Sequence, residues 1–240
     1  MSGHSKWNNI KNKKAKSDAA KAKVFTKIGK EMSMAVKAGG PNPESNSKLR
    51  DLIVKAKSLN VPNDNIDRII KKASSADDNE NYEAINYEGY GPCGVAFMVE
   101  TLTDNRNRTA ANMRHYFDKN GGNLGQTGSV GWMFSQQGTI IIESEGLDAD
   151  TVMMDALDAG ASDFEEEEGV FTVSTEPAAL SAVAEALMAK NYTLVSAENE
   201  MVPSTYSKIE GDENLKFMNR LIDMLDEDDD VQNVWHNWEE

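Results

Sequence analysis

Residues 139–201 read TIIIESEGLDADTVMMDALDAGASDFEEEEGVFTVSTEPAALSAVAEALMAKNYTLVSAENEM. Runs at Thr139–Glu143, Asp163–Glu167, Val170–Ser174 and Thr193–Met201 predict strands. Between them, Asp148–Ala159 and Pro177–Ala189 carry apolar residues at helical spacing. The resulting order, β-α-β-β-α-β, is the split β-α-β pattern of ferredoxin-like folds.

Upstream, Tyr82–Tyr90 and Val95–Thr103 predict two strands, Asn105–Lys119 a helix burying Ala110, Met113 and Phe117, and Val130–Phe134 a further strand. Downstream, Ser204–Ile209 predicts a strand, Asp212–Leu225 a helix and Val231–Trp235 a last strand. If the tail strands join the sheet begun at Val95, a second β-α-β-β-α-β unit closes across the gap and the middle unit is an insertion. The alternative is one continuous mixed sheet.

The first region is helical. Ala20, Val24, Ile28, Met32 and Ala35 line one face of a helix over Ser17–Ala38, which Gly39-Gly40-Pro41 stops. A second helix starts at Glu44 or Ser45, turns Leu49, Ile53 and Ala56 inward and breaks at Asn60-Val61-Pro62. A third, capped by Asn63 or Asp64, buries Ile66, Ile69 and Ile70, and polar Ser74–Asn81 reads as a linker. The expected fold is therefore α+β and multidomain. An N-terminal three-helix bundle (1–75) precedes two ferredoxin-like α/β domains, a discontinuous one (76–135 and 204–240) and one inserted in it (136–203).

Charge divides along the same line. Residues 1–75 carry 17 Lys and Arg against 6 Asp and Glu, and the remainder 8 against 34, so the net charge of −15 hides a basic module. Such a module is the electrostatic footprint of phosphate binding. Lys6, Lys11, Lys13, Lys14, Lys16, Lys21, Lys23, Lys27 and Lys30 face a single acid, Asp18, within the first 30 residues. Lys16, Lys23, Lys30 and Lys37 recur every seven residues and form a stripe down the first helix. Trp7 is a candidate for stacking on an unpaired base, against the plainer reading of a ring tucked onto the bundle. A second cluster, Asp104-Asn105-Arg106-Asn107-Arg108-Thr109, opens a helix that continues to Arg114 and His115. Arg106 and Arg108 either bind an anion there or form salt bridges to the acidic surroundings.

Other motifs fail on context. Gly89-Tyr90-Gly91-Pro92-Cys93-Gly94 fits the Gly-x-Gly-x-x-Gly spacing but opens a strand, so it reads as a turn between strands and not a dinucleotide site. Lys119–Gly125 reads as a helix stop and mobile loop. The acidic runs Glu165–Glu168 and Asp226–Asp230 read as solvated turns. His4, His115 and His236 are far apart and Cys93 is the single cysteine, so no metal-ligand spacing exists. No enzyme, cofactor, metal or membrane partner is expected, and the cytoplasm is the expected compartment.

Gly3-His4-Ser5-Lys6-Trp7, Phe25-Thr26-Lys27, Tyr87–Pro92, Leu102–Thr109, Gly121–Gly125 and Gly128-Ser129-Val130 together resemble the YebC/PmpR family, over essentially the whole chain. Cys93 departs from that pattern, which commonly has glycine there. The resemblance implies a three-helix domain followed by two α/β domains, one inserted in the other, and a cytoplasmic, non-enzymatic protein acting on nucleic acid. Members of the family are described as DNA-binding transcriptional regulators. Others, including a mitochondrial translational activator of cytochrome c oxidase, act at the ribosome, and bacterial relatives are linked to relief of stalling at proline-rich stretches. Two targets follow: duplex DNA, or ribosomal RNA with the ribosome as partner.

Overall fold

A computed structural model describes residues 18–75, 81–167 and 169–239, with side chains from residue 22 onward. Its first three helices are α1 (Asp18–Gly39), α2 (Ser47–Ser58) and α3 (Asn63–Ala73). They enclose a core of Ile28, Met32, Ala35, Val36, Leu49, Leu52, Ala56, Val61 and Ile66. Leu52 takes the inward position expected of Ile53, which is only partly buried.

The α1–α2 corner is set by Asn46. Its amide donates to the carbonyls of Ala35 and Gly40, both at 2.8 Å, while its Oδ1 accepts the Leu49 N–H and caps α2. One buried side chain thus satisfies backbone groups that two helix ends would leave unpaired. A Cβ on Gly39 would meet Asn46 Nδ2 at 2.8 Å, so the corner also needs a glycine there.

The outer sheet has the order β3-β1-β2-β8, with β1 (Glu83–Tyr90), β2 (Ala96–Thr103), β3 (Asn123–Leu124) and β8 (Val231–His236), all antiparallel. Val95, Phe97 and Val99 pack against Met113 and Phe117 of α4 (Arg106–Lys119) and Met218, Leu221 and Leu225 of α7 (Asp212–Glu227). The final strand joins β2, as expected of an interrupted domain.

Its connectivity differs from the expected one. Val130–Phe134 is not a strand of this sheet: the Val130 N–H is taken by the Glu88 carboxylate, Gly131–Met133 forms a 3-10 turn, and Phe134 already belongs to the next sheet. Ser204–Ile209 is likewise no strand and makes a single bridge, Ser207 to Trp238. The short strand present instead is β3, which pairs with the expected β1, so Lys119–Gly125 ends α4 as expected but is not a mobile loop. Leu124 pairs with Gly89 and Asn123 with Tyr90.

The inserted sheet has the order β5-β6-β4-β7, with β4 (Phe134–Glu143), β5 (Asp163–Glu167), β6 (Val170–Thr175) and β7 (Leu194–Pro203). Helices α5 (Ala149–Asp158) and α6 (Leu180–Ala189) cover its core of Ile140, Ile142, Phe171 and Val173. This is the ferredoxin-like arrangement expected from the sequence. Glu165–Glu167 lie within edge strand β5, where charge discourages pairing with another chain.

Contacts gather the described residues up to Val130, with Ser207–Trp238, into one compact unit, and Gly131–Tyr206 into a second. The bundle, expected as a domain of its own, keeps its own core but shares the first unit with the outer sheet.

Candidate nucleic-acid interface

Lys23, Lys27 and Lys30 lie on one side of α1, four and three residues apart, and the structure places an acidic turn against them. Helix α7 ends at Glu227, and Asp228 turns the chain toward β8. The last carbonyls of a helix lack intrahelical donors and carry the negative end of its dipole. Here Lys27 Nζ donates to the Asp226 carbonyl and Lys23 Nζ to the Glu227 carbonyl, each at 3.0 Å. Lys30 Nζ donates to the Asp229 carbonyl at 2.9 Å and to Asp230 Oδ1 at 2.7 Å, and it sits 5.5 Å from the centre of the Tyr82 ring.

Asp230 is the centre of this contact. Its second oxygen accepts from Arg108 at 2.6 Å, from Thr109 at 2.9 Å and from Thr103 at 3.1 Å. Its side chain is only 5% exposed. Burial pushes such a carboxyl up, but hydrogen bonds from Lys30, Arg108 and Thr109 outweigh it and hold the group at about 2. The same bonds, from Asp230 and then Asp104, raise the Arg108 guanidinium further. Asp228 Oδ2 accepts from Asn112 and from the Tyr116 hydroxyl, both at 3.0 Å. Burial first, and then Asp228, push that phenol up to about 12.

The Asp226–Asp230 run is therefore not a solvated turn but a hub for α1, α4 and β2. Sequence reasoning missed it because acidic side chains in a row look alike, whereas only Asp228 and Asp230 point inward. The available signal was the polar cluster at the α4 start, Thr103, Arg108, Thr109 and Asn112, of which the two threonines are buried and need partners.

Among the predicted contact residues, Arg108 meets Asp104 and Asp230, and Arg106 meets Glu83 at 3.0 Å on the surface. For these two arginines the salt-bridge alternative is the one realised. Lys37 is exposed in the last turn of α1. Lys6, Trp7, Lys11, Lys13, Lys14 and Lys16 lie outside the described residues, as does the side chain of Lys21.

Other cations of the bundle point outward. Lys48, Arg50 and Lys57 of α2 and Lys71 of α3 are exposed and make no hydrogen bond or ion pair through their side chains with another described residue. Arg50 and Lys57, seven residues apart, share a face of α2 with exposed Val54.

Glycine motifs serve the backbone. Gly89 lies so close to β3 that a Cβ would meet the Asn123 carbonyl oxygen at 2.8 Å, and a Cβ on Gly122 would collide with the Tyr90 carbonyl. Glu88, 7% exposed, accepts the N–H groups of Gly128 and Val130, each at 2.7 Å, and braces the segment leaving the outer sheet. Among the described residues no group of three or more His, Cys, Asp or Glu is placed to hold a metal ion. Among them, too, no helix is long and apolar enough to cross a membrane.

A basic bundle joined to an outer sheet with an inserted ferredoxin-like unit is an architecture shared with known proteins. A crystal structure of a conserved hypothetical protein from Aquifex aeolicus matches with a TM-score of 0.85 and 39% identity, covering 94% of this chain and 93% of that one. Relatives from Acetivibrio thermocellus (56% identical, 99% of each chain) and Caldicellulosiruptor bescii (54% identical, 100% of this chain and 99% of that one) carry the name "probable transcriptional regulatory protein". The profile of the TACO1/YebC N-terminal domain matches residues 5–76, and that of the TACO1/YebC second and third domain matches residues 82–238. The chain belongs to the TACO1/YebC family.

Proposed function

We propose that this protein is a non-enzymatic, nucleic-acid-binding regulator of gene expression that contacts duplex DNA mainly through phosphates. The observation that carries the reading is the charge division, with 17 bases against 6 acids in residues 1–75 and 8 against 34 beyond. A polyanion is attracted to the first part and repelled by the second. The name carried by the relatives supports the regulatory role. The contact residues we assign are Lys6, Lys11, Lys13, Lys14, Lys16, Lys21, Lys23, Lys27 and Lys37, with Trp7 beside them; Lys30, Arg106 and Arg108 contribute only if they leave their carboxylates.

One observation favours a second reading, structured RNA at the ribosome. Among the described residues the bundle presents no helix rich in Arg, Asn and Gln on one outer face; α3 mixes Asp64 and Asp67 with Arg68, Lys71 and Lys72. Such a surface suits recognition by shape and phosphate more than by base edges.

The test is affinity for duplex DNA and for an RNA stem-loop as a function of salt, with Lys11, Lys13, Lys14 and Lys16 replaced by Gln. Each lost phosphate contact lowers the slope of log K against log salt by about one. Equal affinity and slope in the variant would remove the basic segment from the mechanism. Trp7→Ala separates the targets, since only an unpaired base offers a face to stack on. A loss confined to RNA, together with co-sedimentation with ribosomes, would transfer the role to translation.

A further inference from the structure

We propose that the turn Asp226–Asp230 is an internal competitor for the α1 lysines: a nucleic-acid backbone reaches Lys23 and Lys27 only by taking them from this turn, with Lys30 remaining as the anchor. The proposal rests on the nucleic-acid reading above and adds the regulation of that site.

The turn offers lysine ammonium groups what a phosphate backbone offers, a row of oxygens. Lys23 and Lys27 are four residues apart, about 6 Å along the helix, the reach of about two phosphates on one strand of a duplex. The three lysines are held differently. Lys30 has a carboxylate partner, and the side chains of that pair are 12% and 5% exposed. That carboxylate also serves Arg108 and Thr109, so the anchor is part of the packed unit. Lys23 and Lys27 donate to neutral carbonyls, those of Glu227 and Asp226. Lys23 donates at an exposed site. A phosphate is the stronger acceptor for an ammonium group than a carbonyl, so exchange gains a charge-assisted bond and leaves the anchor intact.

What opposes exchange is the local field. Asp226, Glu227 and Asp229 add three carboxylates beside the lysines, and Glu227 and Asp229 are exposed. These charges hold the ammonium groups in place and repel an approaching polyanion, so the turn lowers affinity twice over. The effect fades with salt as surface charge is screened.

The experiment uses the full chain and labelled duplex DNA and an RNA stem-loop as probes. The variant D226N/E227Q/D229N removes the three charges and keeps every carbonyl. A control, D163N/E165Q/E166Q in the inserted unit, removes the same charge elsewhere. We expect about tenfold tighter binding for the first at low salt and less than twofold for the control. Adding K23Q/K27Q to the first variant should abolish the gain. Hydrogen exchange supplies an independent readout, since amides of 226–230 should lose protection when DNA is added to the wild type. Equal gains in variant and control, or a gain that survives K23Q/K27Q, would overturn the competitor and leave the nucleic-acid reading standing. Absence of binding by every form, wild type included, would overturn both.

Discussion

At Cys93 the backbone φ is +56°, in the left-handed region that a side chain with a Cβ adopts at a cost of about 1–2 kcal/mol. The side chain compensates little, because it is exposed and its sulfur lies 4.0 Å from the Glu210 carbonyl. Cys93→Gly should therefore stabilise the protein by about 1 kcal/mol, less whatever the unfolded chain gains in freedom. Urea unfolding reads this directly as a raised midpoint at unchanged slope. Asn46 is the opposite case, a polar residue that is 7% exposed with three hydrogen bonds to backbone. Asn46→Ala strands two carbonyls and an N–H, and a loss of about 2 kcal/mol is expected. A loss below about 0.5 kcal/mol in the same urea assay would show that water replaces the cap.

Among the elements, β8 concentrates the acid sensitivity. Asp230 lies just before it and His236 at its end. Asp230 is lowered from 3.8 to about 2, so the stability it contributes is fully present above pH 4 and disappears as pH falls through 2. The amount is on the order of 2 kcal/mol. His236 packs its ring 5.5 Å from Phe97 and 6.0 Å from Trp238, and its buried Nδ1 has no hydrogen-bond partner among the described residues. Burial pushes the imidazole from 6.5 down to about 4, with Asp226 pulling weakly the other way. The neutral ring is the folded form, so stability falls as pH drops from 6.5 to 4, by about 3 kcal/mol, and levels off below. Thermal melts across pH should thus show two acid arms. His236→Phe should flatten the arm between 4 and 6.5. Asp230→Asn should remove the lower arm while costing about 3 kcal/mol at neutral pH, because Lys30 and Arg108 lose their carboxylate.

On the scale of the whole molecule, the insertion enters and leaves at one place. Phe134 pairs with Pro203, and the Ser204 N–H donates to the Met133 carbonyl at 2.8 Å. Antiparallel neighbours are about 5 Å apart, a gap that a short linker spans. The outer core is built from Phe97, Phe117, Met218, Leu221 and neighbours, all outside 134–203. Replacing 134–203 by a Gly-Ser linker should leave a cooperatively unfolding protein with the α-helical signal of the bundle intact. Loss of cooperativity in the calorimeter would show that the outer sheet depends on its insert. The removed stretch holds 15 acids and one lysine, so the net charge moves from −15 to about −1. Nucleic-acid affinity should rise, most at low salt, as the repulsive field is removed.

The inserted ferredoxin-like unit was legible in the sequence because its periodicity is local: strands such as Thr139–Glu143 and helices such as Asp148–Ala159 each declare their own faces. The helices of the bundle and the charge division were legible for the same reason, since helical spacing and residue counts need no knowledge of distant contacts. The pairing of β3 with β1 was not, because a two-residue strand has no period and exists only where Gly89 and Gly122 let backbones approach. Nor was the role of the acidic turn. Asp230 is about 200 residues from Lys30 and about 120 from Arg108, and nothing in a run of five acids marks which carboxylate is buried. Which segments are basic, helical or extended follows from local composition and spacing; which lysines lie against acidic partners follows from folding, because it depends on distances between residues far apart in the chain.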